Sequence, residues 1–384
     1  MHPPIKIGIL FAQKGQFAQQ EKPIIDAILF AIHEINKGGG INNQHLQPVF
    51  TDNTLTTTTH FAQAAEYMIV HDKVDCLIGC RDFISRAPVK DLVEKYNTLL
   101  LYPLQWEGLE YSPNILYLGT TPNQQIIPTI MWACSNFGKK ITIVGANTFF
   151  THSIYPIITY YITALKGTVL QSHFIPAHAS NYDTILDAMK KQQPDVILNI
   201  VSEYNQSKFF KQLYQTGLTP QNIPLVSLIF SDNDQELRAE NLLGSYVSKP
   251  YFHNLKSVNN KTFIDAFERH FPHRNEITTS MQTAYVGIHL WAQAIKEAKS
   301  TNYALVHPCL LKQTMAAPEG PVAVDAPTQC CWHTIRINKI INTTYSINIW
   351  DSGRPVAPLP YPPFNTKEQW HLFIEKLKAQ EGAA

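Results

Sequence analysis

The residues best suited to chemistry stand in small clusters along the sequence. Asp232 and Asp234 stand two positions apart in the segment Ser231-Asp232-Asn233-Asp234, a spacing at which paired carboxylates perform acid-base work. A Ser-Asp segment ahead of a helix is equally typical of a cap, in which side-chain oxygens accept hydrogen bonds from the first helical amides. Capping and ligand contact are therefore the two interpretations of this segment.

Histidines and cysteines predict no metal centre. His152, His173 and His178 lie nearest to one another, but no cysteine or carboxylate completes a ligand spacing, so we interpret them as surface or satisfied core histidines. Cys76 and Cys80 are four residues apart on one predicted strand, about 13 Å along it, which is too far for a disulfide. The cysteines are interpreted as structural or surface thiols.

Sequence motifs of catalysis are absent. The chain contains no phosphate-binding Gly-x-x-x-x-Gly-Lys loop, no Gly-x-Gly-x-x-Gly after its first strand, no Gly-x-Ser-x-Gly elbow and no His-Glu-x-x-His helix. The sequence thus predicts a protein that is not an enzyme, with no catalytic residues, no cofactor and no metal.

Composition excludes several partner classes. Lys and Arg number 31 against 30 Asp and Glu, which leaves a formal charge of +1 and no basic excess for nucleic acid. No run of residues is apolar for long enough to predict insertion into a membrane. The first residues show no export signal, so we expect a periplasmic location if such a signal has been removed; the alternative is a cytoplasmic location.

Short apolar runs alternate with amphipathic helical stretches along the whole chain. The first series begins with a strand at residues 5–11, a helix at 20–37 ended by Gly38-Gly39-Gly40, and further strand-helix steps to residue 102. A second series runs from residue 124 to residue 228, and a helical segment and a strand pair follow it. Repeated βα steps predict parallel sheets with helices on both faces.

A chain of 384 residues exceeds the size of a single hydrophobic core. We therefore predict an α/β fold with two doubly wound, Rossmann-like lobes, joined by several hinge crossovers and separated by a ligand cleft. Residues 1–120 and 252–325 are assigned to the N-terminal lobe, and residues 121–251 and 326–384 to the C-terminal lobe. Ligands of such sheets bind beyond the carboxyl ends of the strands.

One long loop carries a family resemblance. It reads Tyr102-Pro103-Leu104-Gln105-Trp106-Glu107-Gly108, then Tyr111-Ser112-Pro113-Asn114, and Ala317-Pro318-Glu319-Gly320 agrees later in the chain. These residues resemble the amide- and urea-binding branch of the type I periplasmic binding proteins, over about residues 5 to 350. The resemblance implies reversible capture of a small amide, urea-like compound or amino acid, with hinge closure and without catalysis.

The resemblance leaves two roles open. In the first, the chain is the substrate-binding protein of an ABC transporter and its partner is a permease. The alternative is a cytoplasmic amide sensor that regulates an amidase operon by binding an antiterminator, a regulatory protein. Neither role involves direct contact with nucleic acid or insertion into a membrane.

In the first lobe the resemblance assigns ligand contacts to two loops. Tyr102 falls on the family tyrosine, whereas Leu104, Arg81 and Phe83 replace residues that bear hydroxyl or aromatic groups. A guanidinium suits a carboxylate, so Arg81 indicates an acidic or zwitterionic ligand; the alternative is that it reaches solvent or pairs with Asp82. Ser85 either contacts the ligand or caps the helix that it begins.

In the second lobe the matching loops are less informative. Thr148 or Phe150 stands where the family has a tyrosine, which weakens a hydroxyl contact. Tyr204, together with Glu203 or Asp232, is predicted to receive a ligand ammonium, with helix capping as the alternative. Ser231 completes the predicted ligand-binding set.

Overall fold

The computed structural model describes residues 3–51, 55–176, 179–201, 203–229, 240–272, 276–342 and 345–381. Its strands are β1 Ile5–Leu10, β2 Leu46–Phe50, β3 Cys76–Gly79, β4 Leu99–Tyr102, β5 Ile115–Tyr117, β6 Lys140–Ala146, β7 Thr168–Ile175, β8 Val196–Ile200, β9 Leu225–Ser227, β10 Tyr246–Lys249, β11 Thr314–Ala317, β12 Gly320–Asp325, β13 Cys330–Trp332, β14 Arg336–Ile340 and β15 Ser346–Asp351. Its helices are α1 Ala18–Lys37, α2 Thr58–Tyr67, α3 Phe83–Tyr96, α4 Ile126–Asn136, α5 Phe149–Ala164, α6 Asp183–Gln192, α7 Glu203–Gln215, α8 Val258–His270, α9 Thr279–Ala298, α10 Tyr303–Leu310 and α11 Lys367–Glu381. A π-helical turn, Met68–Asp72, extends α2, and a 3-10 turn, Glu240–Leu242, precedes β10.

The first lobe contains a mixed sheet in the order β11-β12-β13-β5-β4-β3-β1-β2. Strands β1 to β5 pair in parallel, and β13 joins β5 in parallel at the other side. Neighbouring residues of a strand are buried on opposite faces: Ile78 packs among α1, α8 and α9, whereas Leu77 packs against α2 and α3. Burial of both faces is the reason that these strands are continuous apolar runs.

The second lobe repeats the plan with the order β15-β14-β10-β9-β8-β6-β7. Strands β6 to β10 are parallel, whereas β14 and β15 add an antiparallel edge. Apolar clusters cover both faces of this sheet as well. The predicted two-lobed α/β fold is confirmed.

Within the described ranges, three crossovers connect the lobes, at residues 118–125, 250–257 and 333–335. The last one lies later than the predicted boundary between residues 325 and 326. A turn in which Gln329 N donates to the Asp325 carbonyl oxygen (2.8 Å) folds β13 back onto β12, so residues 330–332 remain in the first sheet. Buried His333 links two crossovers, since its Nε2 lies 2.8 Å from the Leu118 carbonyl oxygen.

The proline-rich segment after β15 follows a defined path, which the sequence did not predict. Leu109 N donates to the Pro360 carbonyl oxygen (3.0 Å), and the Asn123 side chain bonds both Ala357 and Leu359. The segment leads into α11, whose residues Trp370, Ile374 and Leu377 are buried against residues of both lobes.

Candidate functional site

A cleft of about 630 Å³ lies between the lobes, where the carboxyl ends of strands from both sheets face each other. Its lining is mainly apolar and aromatic, with hydroxyl and amide groups between. The lining includes Phe11, Glu21, Arg81, Asp82, Phe83, Tyr102, Leu104, Gln105, Glu107, Gly119, Thr120, Gln125, Thr148, Phe149, Phe150, Ser248, Lys249, Thr278 and Thr283.

Arg81 is placed by an unusual turn at the end of β3. Gly79 has φ +149°, and a Cβ there would lie 2.4 Å from the Leu10 carbonyl oxygen, so only glycine fits. The next residue, Cys80, has φ +69°, a conformation that non-glycine residues rarely adopt. The two residues turn the chain so that Arg81 lines the cleft.

The Arg81 guanidinium binds a partner that the sequence did not indicate. Its Nε donates to Glu21 Oε1 at 2.6 Å, and its Nη2 donates to the Leu55 carbonyl oxygen at 2.8 Å. Its Cζ lies 3.4 Å from the centre of the Phe17 ring. Arg81 lines the cleft, but its charge pairs with Glu21 and not with solvent or Asp82.

Ser85 acts as a cap within the first turn of α3. Its Oγ accepts from the backbone N of Arg81 (2.9 Å) and of Asp82 (3.0 Å), while Ser85 N donates to Asp82 Oδ1 (2.8 Å). The side chain is buried and does not contribute to the cleft lining. This geometry corresponds to the capping alternative.

Phe83 and Phe149 meet from opposite lobes at the edge of the cleft. Each is the first residue of its helix, α3 and α5 respectively, and their rings stack with centroids 3.8 Å apart and planes within 6°. Phe83 and Phe149 are only 5 % and 4 % exposed, so the contact is well shielded from water.

Tyr102 and Leu104 lie on the floor of the cleft at the end of β4. Tyr102 is buried, which raises the pKa of its hydroxyl and keeps it a neutral donor. The chain approaches itself closely beside them: a Cβ on Gly119 would lie 1.8 Å from the Leu104 carbonyl oxygen. Glycine at position 119 is therefore a steric requirement of this floor.

An ion-pair network beneath the floor was missed by the sequence interpretation. Arg86 is fully buried, contacts Glu107 through Nη2 and donates from Nε to Glu110 Oε1 at 3.0 Å. Tyr117 also donates to Glu110 Oε1, at 2.8 Å. Burial raises the pKa of Glu107; burial also opposes ionisation of Glu110, but Arg86 and Lys90 outweigh it and hold the pKa of Glu110 below its usual value.

Thr148 and Phe150, which the sequence predicts as ligand contacts in the second lobe, both line the cleft. Thr148 also caps α5, because its Oγ1 accepts from Thr151 N at 3.3 Å. Glu203 begins α7, but the side chains of Glu203 and Tyr204 are not described. Ser231 and Asp232, together with Asp234 and His178, lie outside the described residues.

The crossovers supply polar groups that no motif indicated. Gln125 is buried, and its Nε2 donates to the carbonyl oxygens of Ser248 (2.5 Å) and Leu228 (3.1 Å), while its Oε1 accepts from Thr120 Oγ1 (2.6 Å). From the loop after β4, Gln105 Nε2 donates to the same Leu228 carbonyl oxygen at 3.3 Å. Side chains of the first crossover and of this loop thus bind backbone of the second lobe beside the cleft.

Comparison with known proteins agrees with this architecture. A family model described as the periplasmic binding protein domain matches residues 5–367, nearly the whole chain. The chain belongs to the periplasmic binding protein family. The match ends at the first residue of α11, so the rest of that helix lies outside it.

Solved structures of periplasmic binding proteins share the fold at low sequence identity. A solute-binding protein of an ABC transporter from Rhodopseudomonas palustris, in complex with 3,4-dihydroxybenzoic acid, has a TM-score of 0.80 and 21% identity, covering 91% of this chain and 97% of its own. An ABC transporter substrate-binding protein from Sphaerobacter thermophilus has a TM-score of 0.82 and 16% identity, covering 91% and 98%. A leucine-binding protein from Thermotoga maritima has a TM-score of 0.77 and 15% identity, covering 90% and 98%.

Two further observations concern other classes of site. Across the described ranges, no group of three or more His, Cys, Asp or Glu side chains is arranged to hold a metal ion. Among those same residues, no helix combines the length and apolar character that crossing a membrane requires.

Proposed function

We propose that this periplasmic binding protein is the solute-binding component of an ABC transporter and that it captures a small amide, urea-like compound or amino acid between its lobes. The observation that carries the proposal is the interlobe cleft of about 630 Å³, which lies at the carboxyl ends of both sheets. Pockets for small molecules commonly have this size and a few convergent polar groups on apolar walls.

The lining supports a small ligand with both polar and apolar parts. Hydroxyl groups on the lining belong to Thr120, Thr148, Ser248, Thr278 and Thr283. Those of Thr120 and Thr283 already donate within the protein, so they can act toward a ligand as acceptors. Aromatic walls are provided by Phe11, Tyr102 and Phe149. Hydroxyls both donate and accept, which suits an amide or urea that presents a carbonyl oxygen beside N–H groups.

The transporter role is preferred to the amide-sensor role. Proteins of similar fold include a solute-binding protein of an ABC transporter in complex with 3,4-dihydroxybenzoic acid and a leucine-binding protein. The proposed partner is accordingly a permease that recognises the ligand-closed lobes, with the binding protein in the periplasm. The proposal assigns no catalysis to the cleft.

A thermal-shift screen followed by calorimetry tests this function. The panel contains urea, short aliphatic and aromatic amides, aromatic acids and the amino acids. A true ligand at a hundred times its Kd stabilises the folded chain by about 2.7 kcal/mol and raises the unfolding temperature. X-ray scattering with that ligand is expected to show a smaller radius of gyration, as closure requires.

Two results would contradict the proposed function. One is a complete panel without any stabilising compound. The other is chemical conversion of a bound compound, detected by mass spectrometry after overnight incubation, because a solute-binding protein returns its ligand unchanged.

A further inference from the structure

Glu21 and Arg81 form a closed ion pair on the wall of the cleft. We propose that Glu21 determines the charge of the solute: it holds the Arg81 guanidinium in a neutral pair, so that the cleft accepts uncharged groups at this wall and rejects carboxylates. The inference rests on the proposed function and names a specificity-determining residue for the same cleft.

Arg81 is fixed in place by three contacts. Its Nε and Nη2 donate to Glu21 and to the Leu55 carbonyl oxygen, and its Cζ lies 3.4 Å from the Phe17 ring centre. A guanidinium held by two hydrogen bonds and a ring face does not swing freely to meet a ligand. Any carboxylate that reaches Arg81 must approach it beside Glu21.

Glu21 is fixed as firmly as its partner. It lies in the first turn of α1, where the helix dipole favours negative charge, and one of its carboxylate oxygens accepts from Ala12 N. The side chains of Glu21 and Arg81 are only 6% and 16% exposed. Burial raises the pKa of Glu21, while Arg81 opposes this effect.

The charge balance at this wall disfavours a second anion. A ligand carboxylate would gain attraction from Arg81 and meet repulsion from Glu21 at similar distance, and both interactions are strong because the groups are shielded from water. It would also lose its own hydration. A neutral amide meets the remaining donors and acceptors of the pair without these costs.

The other charged side chains on the described part of the lining have partners of their own. Asp82 accepts the Ser85 amide within its cap, and Glu107 contacts buried Arg86. The ammonium of Lys249 lies 4.6 Å from the centre of the Phe252 ring, on the side of the cleft formed by β10. A change of Glu21 to glutamine therefore removes the one carboxylate that pairs with Arg81 and leaves this guanidinium as an unbalanced positive charge on the first-lobe wall.

The test uses Glu21→Gln, which preserves shape and removes the negative charge. Benzamide and benzoate are the probes, because they differ in charge but hardly in shape and match the aromatic lining. Calorimetry at fixed ionic strength is expected to show that Glu21→Gln binds benzoate at least 10-fold tighter than the unmodified chain does. The double variant Glu21→Gln with Arg81→Gln is expected to lose this gain.

A matched control separates local from global charge. Glu268→Gln removes one negative charge from the exposed face of α8, away from the cleft, and is expected to bind both probes like the unmodified chain. The inference is overturned if Glu21→Gln and the unmodified chain bind benzoate with equal affinity, or if neither of them binds it. Retention of the gain in the double variant overturns it too.

Arg81→Gln alone provides an independent check, should Glu21→Gln fail to fold. It is expected to bind benzoate no more tightly than the unmodified chain, whose own binding should be weak. Tight benzoate binding by the unmodified chain that disappears in Arg81→Gln would make Arg81 an anion anchor and overturn the inference. If Glu21→Gln gains benzoate binding while the unmodified chain binds no solute of the wider screen, the inference stands and the proposed function fails.

Discussion

Phe83 and Phe149 stack face to face between the two lobes, with ring centroids 3.8 Å apart. The contact joins the first residues of α3 and α5, which are far apart in sequence and belong to different lobes. It closes one edge of the cleft with apolar surface.

Replacing Phe149 with alanine is expected to destabilise the protein and loosen the lobes. Loss of a buried phenylalanine costs about 3 kcal/mol, and here the lost contact lies between lobes. Urea unfolding should show the lower stability, and X-ray scattering a larger radius of gyration. Met131→Ala on α4, where the side chain is 48 % exposed, is the control and should change stability by no more than about 0.5 kcal/mol. An unchanged radius for Phe149→Ala would show that the stack does not hold the lobes.

Helix α11 offers a second test through two residues on its opposite faces. Trp370 is 1 % exposed and its Nε1 donates to the Pro362 carbonyl oxygen at 2.9 Å, whereas Leu372 is 64 % exposed. Trp370→Ala is expected to lower the free energy of unfolding by about 3 kcal/mol, and Leu372→Ala by less than about 0.5 kcal/mol. Thermal unfolding measures both, and equal effects would contradict the described packing.

Tyr102 and Tyr117 both lie beside the buried Arg86 network, so they form a matched pair for testing ligand binding against stability. Tyr102 lines the cleft, whereas the Tyr117 hydroxyl donates to Glu110 and is absent from the lining. Tyr102→Phe is expected to weaken ligand binding by about 5-fold at nearly unchanged stability, since one hydrogen bond is worth about 1 kcal/mol. Tyr117→Phe is expected to reduce stability and spare affinity. Calorimetry and urea unfolding of both variants check this, and the reverse pattern would contradict it.

Glu110 should make stability depend on pH. Its pKa lies below the ordinary 4.5, despite burial, because Arg86 and Lys90 favour the carboxylate. A carboxyl group with a lowered folded-state pKa stabilises the fold fully above 4.5 and loses this effect as pH falls through the folded value. Glu110→Gln should therefore be less stable than the unmodified chain by about 3 kcal/mol at neutral pH, with the difference shrinking in acid.

Urea unfolding between about pH 7 and pH 3 measures this difference, because that range brackets the ordinary carboxyl pKa. A stability difference between Glu110→Gln and the unmodified chain that stays constant throughout would show that the charge of Glu110 does not matter.

Periodicity predicted most of the fold because the strands are buried on both faces and the helices on one. The strand predicted at residues 5–11 is observed as Ile5–Leu10, and the helix predicted at 20–37 as Ala18–Lys37. Helix α5 begins at Phe149, directly after Thr148, whose side chain caps it. A cap is a local geometry that apolar spacing does not reveal.

The site was predictable only in part, because its decisive contacts join distant residues. Tyr102, Leu104, Phe83, Thr148 and Phe150 line the cleft, as the loops after their strands indicated. The partner of Arg81, however, lies 60 positions away at Glu21. The pairing depends on how α1 packs beside the end of β3, and no pattern within either segment encodes that distance.

Helix α11 begins where the family match ends, and its buried stripe contacts residues of both lobes. A separation of Phe83 from Phe149 would therefore also part α11 from one lobe and expose the surfaces of Trp370, Ile374 and Leu377 to water. Hydration of apolar surface increases heat capacity, so opening carries a positive heat-capacity change. The free-energy difference between open and closed lobes would consequently depend on temperature in a non-linear way, even when no solute is present.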